Sequence, residues 1–118
     1  MVDETAVLDI RIDRSETATV LRLSGDIDLV SSEWLRRAAT DDLFQGLVVL
    51  DLAGVSFCDS SGLRVLIEMR RRADDAKSGF RLAAPTPEVD RLLDLSGIHD
   101  YLDLYPDVAA ALAGRAGG

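Results

Sequence analysis

Apolar and polar residues alternate at the start of the chain. Leu8, Ile10 and Ile12 are interleaved with Asp9, Arg11 and Asp13, a period of two that predicts a strand with one wet face. Arg14-Ser15-Glu16 reads as a polar turn, and the β-formers from Thr17 to Leu23 read as the returning strand of a hairpin. Gly25-Asp26-Ile27-Asp28 breaks that pattern, and a helix is expected from Leu29 to about Phe44, capped by Asp28 or Ser31. Leu35, Ala38 and Ala39 would form its buried side, and Gly46 would end it. Leu47 to Leu52 is almost unbrokenly apolar, as in a central strand covered on both faces. A second helix follows from Leu63 to about Ala76, with Leu63, Leu66, Ile67 and Ala73 on one side and Arg64, Glu68, Arg71 and Asp75 opposite.

Phe80 to Ala84 reads as the next strand. Thr86 suits a helix N-cap and Pro87 the first helical position, with Val89, Leu92 and Leu93 facing inward and Gly97 as the stop. Tyr101 to Tyr105 reads as a short edge strand, and Pro106 and Asp107 open a last short helix. The order ββαβαβα, then a strand and a helix, predicts one α/β domain over residues 1–118. Its ordered core is expected at about 5–113, followed by a frayed tail from Gly114 to Gly118.

Charge narrows the range of partners. The 118 residues carry a formal charge of −8, which argues against direct nucleic-acid binding because little would neutralise phosphates. No run approaches a membrane span, and the acidic Met1-Val2-Asp3-Glu4 start lacks an apolar signal core. The single cysteine, Cys58, excludes an intrachain disulfide and fits a reducing compartment. A cytoplasmic protein is expected.

The chemistry concentrates at Cys58-Asp59-Ser60-Ser61-Gly62, where a buried strand hands over to a helix start. Such a start carries unpaired N–H groups and partial positive charge, so it can display a small polar side chain and tolerate a phosphate. As a hydrolase nucleophile elbow the string lacks its first glycine, and His99 lies in a polar loop. Cys58 and Arg64 have the C-x5-R spacing of cysteine phosphatases, but Asp59 would repel both thiolate and phosphate, and Cys58 is more simply a small apolar residue closing the strand. Asp51 invites comparison with receiver domains, yet the acidic pair after the first strand is missing; a strand-end aspartate bonding backbone N–H groups is the plainer account. His99 alone supports no metal site. There remains a serine that another protein modifies, with Asp59 or Ser60 capping the helix and Ser61 pointing outward.

Phe57-Cys58-Asp59-Ser60-Ser61-Gly62-Leu63-Arg64 resembles the signature of the STAS domain family of bacterial anti-sigma factor antagonists. Gly25-Asp26-Ile27-Asp28 resembles that family's earlier G-E-L-D motif, and Pro85 to Gly97 with the following strand and helix is similar to its C-terminal part. The resemblance implies a mixed sheet of four to five strands covered by about four α-helices. It implies partner switching without enzymatic activity or a cofactor of the chain's own. An ATP-binding GHKL-type serine kinase, itself an anti-sigma factor, would bind the unmodified protein and use Mg²⁺ and ATP to phosphorylate Ser61; a PP2C-type phosphatase would reset it. Asp26, Asp28, Asp59, Ser60, Ser61, Gly62 and Arg64 would form the docking face. Other members serve as fixed subunits on a transporter ATPase or in a stress-sensing assembly, which needs the surface but not the phosphate cycle.

Overall fold

The computed structural model describes residues 8–114. The expected start of the core before Leu8 and most of the expected frayed tail lie outside the described residues. Strands β1 (Leu8–Arg14), β2 (Ala18–Ile27), β3 (Leu47–Cys58), β4 (Phe80–Ala83) and β5 (Asp103–Tyr105) form one sheet in sequence order. The β1–β2 hairpin is antiparallel and every later pairing is parallel. The helices are α1 (Leu29–Ala38), α2 (Ser60–Asp75), α3 (Pro87–Leu95) and α4 (Val108–Ala113). This is a mixed five-stranded sheet with four helices, as the sequence pattern predicts.

Alternate residues of the strands feed two cores. Leu21, Leu50 and Leu82 pack with Leu35 of α1, Leu66 and Met69 of α2 and Leu93 of α3. Val20, Val49 and Ala83 turn to the other face, where Tyr105 and Ala111 of α4 join them. β3 contributes to both clusters, which is why its sequence does not alternate. Beyond α4 that second face is open, and Arg22 bridges Asp13 and Asp51 at 2.8 and 3.1 Å. Asp51 also accepts from the N–H of Ala53 at 3.0 Å, the plain strand-aspartate role expected of it.

Four boundaries differ from the sequence pattern. β2 does not end before Gly25 but runs to Ile27, and β3 runs on to Cys58, because the two stay paired through register shifts between Arg22 and Ser24 and between Gly25 and Asp26. Bulges of this kind destroy the period of two that a sequence reading relies on. Gly54 makes the close pairing possible: a Cβ there would lie 2.9 Å from the carbonyl oxygen of Leu23. α1 ends at Ala38 rather than Phe44, since Thr40 turns to an extended backbone and the short 3-10 turn Asp41–Gln45 drives Leu43 and Phe44 into the core. α2 begins at Ser60, three residues early, and is rotated relative to the expected stripe. Leu66 and Ala73 are buried as expected and Val65 and Met69 join them, whereas Leu63, packed against the core, and Ile67 are half-buried.

Candidate functional site

The extension of β2 and β3 builds the site. Asp26 stands opposite Phe57 and Ile27 opposite Cys58, and the N–H of Asp59 donates to the carbonyl of Ile27 at 3.1 Å. The start of α1 and the start of α2 are thereby fastened side by side at the C-terminal ends of β2 and β3.

At α1, Asp28 is the N-cap. Its Oδ1 accepts from the N–H groups of Val30 and Ser31 at 3.0 and 2.9 Å. These bonds, that of Ser31 foremost, hold the carboxyl below the usual aspartate range against the opposing effect of desolvation. Ser31 completes a capping box: its hydroxyl accepts from the N–H of Asp28 at 2.9 Å and donates to the carbonyl of Asp26 at 2.8 Å. Ser31 is fully buried. The sequence reading left open which of Asp28 and Ser31 caps the helix; Asp28 does, with Ser31 in support.

At α2, Asp59 is the N-cap and accepts from the N–H groups of Ser61 and Gly62 at 2.8 and 3.2 Å through one oxygen. Ser60 and Ser61 follow at the first two helical positions, Ser60 exposed and Ser61 half-buried. Among the described residues, neither hydroxyl bonds to a protein group, in contrast to Ser31. Gly62 is buried at the third position, where a Cβ would lie 2.5 Å from Cys58 Sγ and 2.8 Å from Ile27 Cγ2. Only glycine lets α2 start this close to the ends of both strands. Asp26 is exposed, Asp28 and Asp59 half-buried and Arg64 exposed; all lie where β2 and β3 lead into α1 and α2, and Asp28, Asp59 and Gly62 have structural tasks there.

Cys58 cannot serve as a phosphatase nucleophile in this setting. It is 8% exposed, and burial first, with the charge of Asp59 second, pushes its thiol up to about 12. The reactive thiolate is therefore essentially unpopulated at neutral pH. Among the described residues no group of His, Cys, Asp and Glu is placed to hold a metal ion, and His99 instead pairs with Asp90 at 3.1 Å. No helix among the described residues is long and apolar enough to cross a membrane.

Sequence reasoning missed the apolar rim. Leu29 and Val30 are 71% and 60% exposed on the first turn of α1, and Phe57 is 51% exposed at the end of β3. Phe57 opens a groove with Leu92 and Leu95 of α3, where Leu95 is 76% exposed. The signal was available for α1. Once Asp28 is the cap, the buried positions 31, 32 and 35 define the inner face, and Leu29, Val30 and Trp34 fall off it. Solvent-facing apolar residues bordered by polar ones mark protein-contact surfaces more often than chance scatter does.

The ends of β2 and β3 thus bring together the unbonded Ser60 and Ser61 hydroxyls, the carboxylates of Asp26, Asp28 and Asp59 and an apolar rim. The STAS domain family model matches residues 9–111, and the chain belongs to that family. It is 28% identical over 108 residues to the anti-sigma F factor antagonist of Paenibacillus polymyxa, covering 89% of this chain and 92% of that one. Among solved structures it is similar to an anti-sigma factor antagonist from Mycobacterium paratuberculosis, with 27% identity, a TM-score of 0.79 and 91% and 92% of the two chains covered. It shares its fold with the anti-sigma factor antagonist SpoIIAA in its unphosphorylated form, at 21% identity and a TM-score of 0.74 over 92% of this chain and 100% of that one. The phosphorylated form of SpoIIAA, a Bacillus cell fate determinant, gives a TM-score of 0.69 at 22% identity over 91% and 100% of the two chains.

Proposed function

We propose that this chain is an anti-sigma factor antagonist that acts in the cytoplasm by partner switching. Its unmodified form binds an anti-sigma factor that is also a GHKL-type serine kinase, and the sigma factor is released. The kinase ends the interaction by phosphorylating Ser61. The serine oxygen bonds to the γ-phosphorus of ATP, the bond to the ADP oxygen breaks, and the hydroxyl proton passes to a base of the kinase. A PP2C-type phosphatase hydrolyses the ester. The chain supplies the acceptor hydroxyl and a surface; nucleotide and Mg²⁺ belong to the kinase.

The observation that carries this reading is the contrast in hydroxyl use at the two helix starts: the Ser31 hydroxyl is spent on the backbone, while that of Ser61 is not. The relatives named as anti-sigma factor antagonists support the partner class. Asp26, Asp59, Ser60 and Arg64 supply the polar part of the docking face. Asp28 and Gly62 shape it, and Leu29, Val30 and Phe57 supply its apolar part. A phosphate adds about −1.5 to −2 charge at neutral pH. Placed in an interface fitted to a hydroxyl, beside Asp59 and Asp26, it meets repulsion and desolvation. A penalty of about 3 kcal/mol would weaken binding more than ~100-fold.

The test compares a cognate kinase binding native protein, Ser61→Ala and Ser61→Asp. Binding is expected to survive in Ser61→Ala and to fall by about two orders of magnitude in Ser61→Asp. Equal affinity of Ser61→Asp and native protein would refute the charge mechanism. Incubation with kinase and ATP should add one phosphate at Ser61 by mass; no gain with any cognate kinase would favour a fixed structural subunit that uses the same surface.

A further inference from the structure

The phosphate that this reading places on Ser61 meets an occupied helix start. Asp59 takes the N–H groups of Ser61 and Gly62 through its side chain, and its backbone carbonyl takes that of Leu63 at 3.1 Å. Two of the amides that ordinarily cradle an anion at a helix N-terminus, those of Ser61 and Gly62, are therefore already committed to a carboxylate that repels a phosphate. Asp26 and Asp28 add negative charge from the β2–α1 junction. A phosphate here needs a cation from elsewhere.

Arg64 is the cation within reach. It lies three residues after Ser61 on the same helix, a spacing at which side chains are neighbours. It is exposed, and none of the ion pairs among the described residues within 4.0 Å involves it. The acid best placed to compete for it is Glu68, four residues further on. Glu68 is already engaged through both oxygens by Arg36 of α1, at 2.7 and 3.2 Å, and Arg36 also holds Glu33. Arg71 shares the outer groove of α2 with Ser60, Leu63 and Arg64, but it stands ten residues after Ser61, nearly three turns away.

We infer that Arg64 is the counter-ion of the phosphorylated Ser61: its guanidinium swings from the open groove of α2 onto the phosphate and holds it against the helix start. In the unmodified protein the same guanidinium is free for a partner's carboxylate. Phosphorylation then acts twice, by adding an anion and by withdrawing a cation from the docking face. Guanidinium suits this task because it binds phosphate oxygens through two parallel N–H groups.

The inference rests on phosphorylation at Ser61, and its test is independent of any kinase. Phosphoserine is incorporated at position 61 by genetic code expansion, and the second ionisation of the phosphate is followed by phosphorus NMR in low salt. A nearby cation favours the doubly charged form, so removing it in Arg64→Gln should raise the phosphate pKa by about half a unit, a surface-discounted version of the shift an adjacent arginine causes. Arg64→Lys should retain part of the effect, and Arg71→Gln should leave the pKa at the native value. A pKa in Arg64→Gln within about 0.1 of native overturns the inference, as does an equal rise in Arg71→Gln, which would mean a diffuse field. If native Ser61 never receives phosphate from a kinase, the switching function fails and this titration is untouched.

Discussion

Two helices start side by side at the ends of neighbouring strands, and they use the same residue types differently. α1 follows β2 with Asp28 as its cap, then Leu29, Val30 and Ser31; α2 follows β3 with Asp59 as its cap, then Ser60, Ser61 and Gly62. Each aspartate accepts from the N–H groups of the second and third helical residues. The difference lies at the third helical position. In α1 that position holds a serine, buried and bonded to the backbone at both ends of the turn. In α2 it holds a glycine pressed against Cys58 and Ile27, and the serines stand one and two places earlier, where they reach the surface. A serine's position relative to its cap thus decides whether its hydroxyl is spent on the backbone or left unbonded.

The comparison can be broken at several points. The largest effect is expected from Gly62→Ala. Its methyl would overlap Cys58 Sγ and Ile27 Cγ2, and overpacking of this kind costs about 1–3 kcal/mol. Urea unfolding should show the loss, and the double variant Gly62→Ala, Cys58→Ala should recover part of it. Ser31→Ala comes next. It leaves the Asp26 carbonyl and the Asp28 N–H without their partner, a loss of about 1–2 kcal/mol, whereas Ser60→Ala should stay within about 0.5 kcal/mol of native. Equal losses at the two serines would erase the distinction drawn between the helix starts.

The caps themselves should match. Asp28→Ala and Asp59→Ala are each expected to lower stability by about 1 kcal/mol in the same urea assay. A much larger loss at Asp59 would mean that the helix start it holds is under greater strain. Acid gives the smallest and most graded effect. Asp28 and Glu68 are both held below their ordinary values of 3.8 and 4.5, Asp28 by the Ser31 N–H and Glu68 by Arg36. Carboxylates depressed in the folded state stabilise it fully above the unfolded value and cease to do so as pH falls through the folded value. Stability should therefore be flat above about pH 5 and decline below it. Asp28→Asn should flatten the decline in its lower part, where aspartates titrate, and Glu68→Gln in its upper part.

Much of the architecture is written in short-range patterns. Thr86 and Pro87 announce α3, and Thr86 does cap it, although its hydroxyl also reaches Val55 of β3 at 2.9 Å. The unbroken run from Leu47 announces a strand buried on both faces, and Val48 and Val49 enter the two separate cores. The apolar rim was harder to see. Phe57 and Leu95 look like core residues by type, yet both face water in the folded chain.

What the sequence determined alone is the set of elements, their order, the threonine cap of α3 and the position of the D-S-S-G string between a strand and a helix. These depend on hydrogen bonds and side-chain periods that span a few residues. The tertiary structure alone decided that β2 and β3 stay paired past their bulges, that Gly62 seats α2 against both strand ends, and that Ser31 is consumed while Ser61 is left open. Those outcomes depend on contacts between residues some thirty positions apart in the chain, such as Ile27 with Asp59, whose geometry no local pattern encodes.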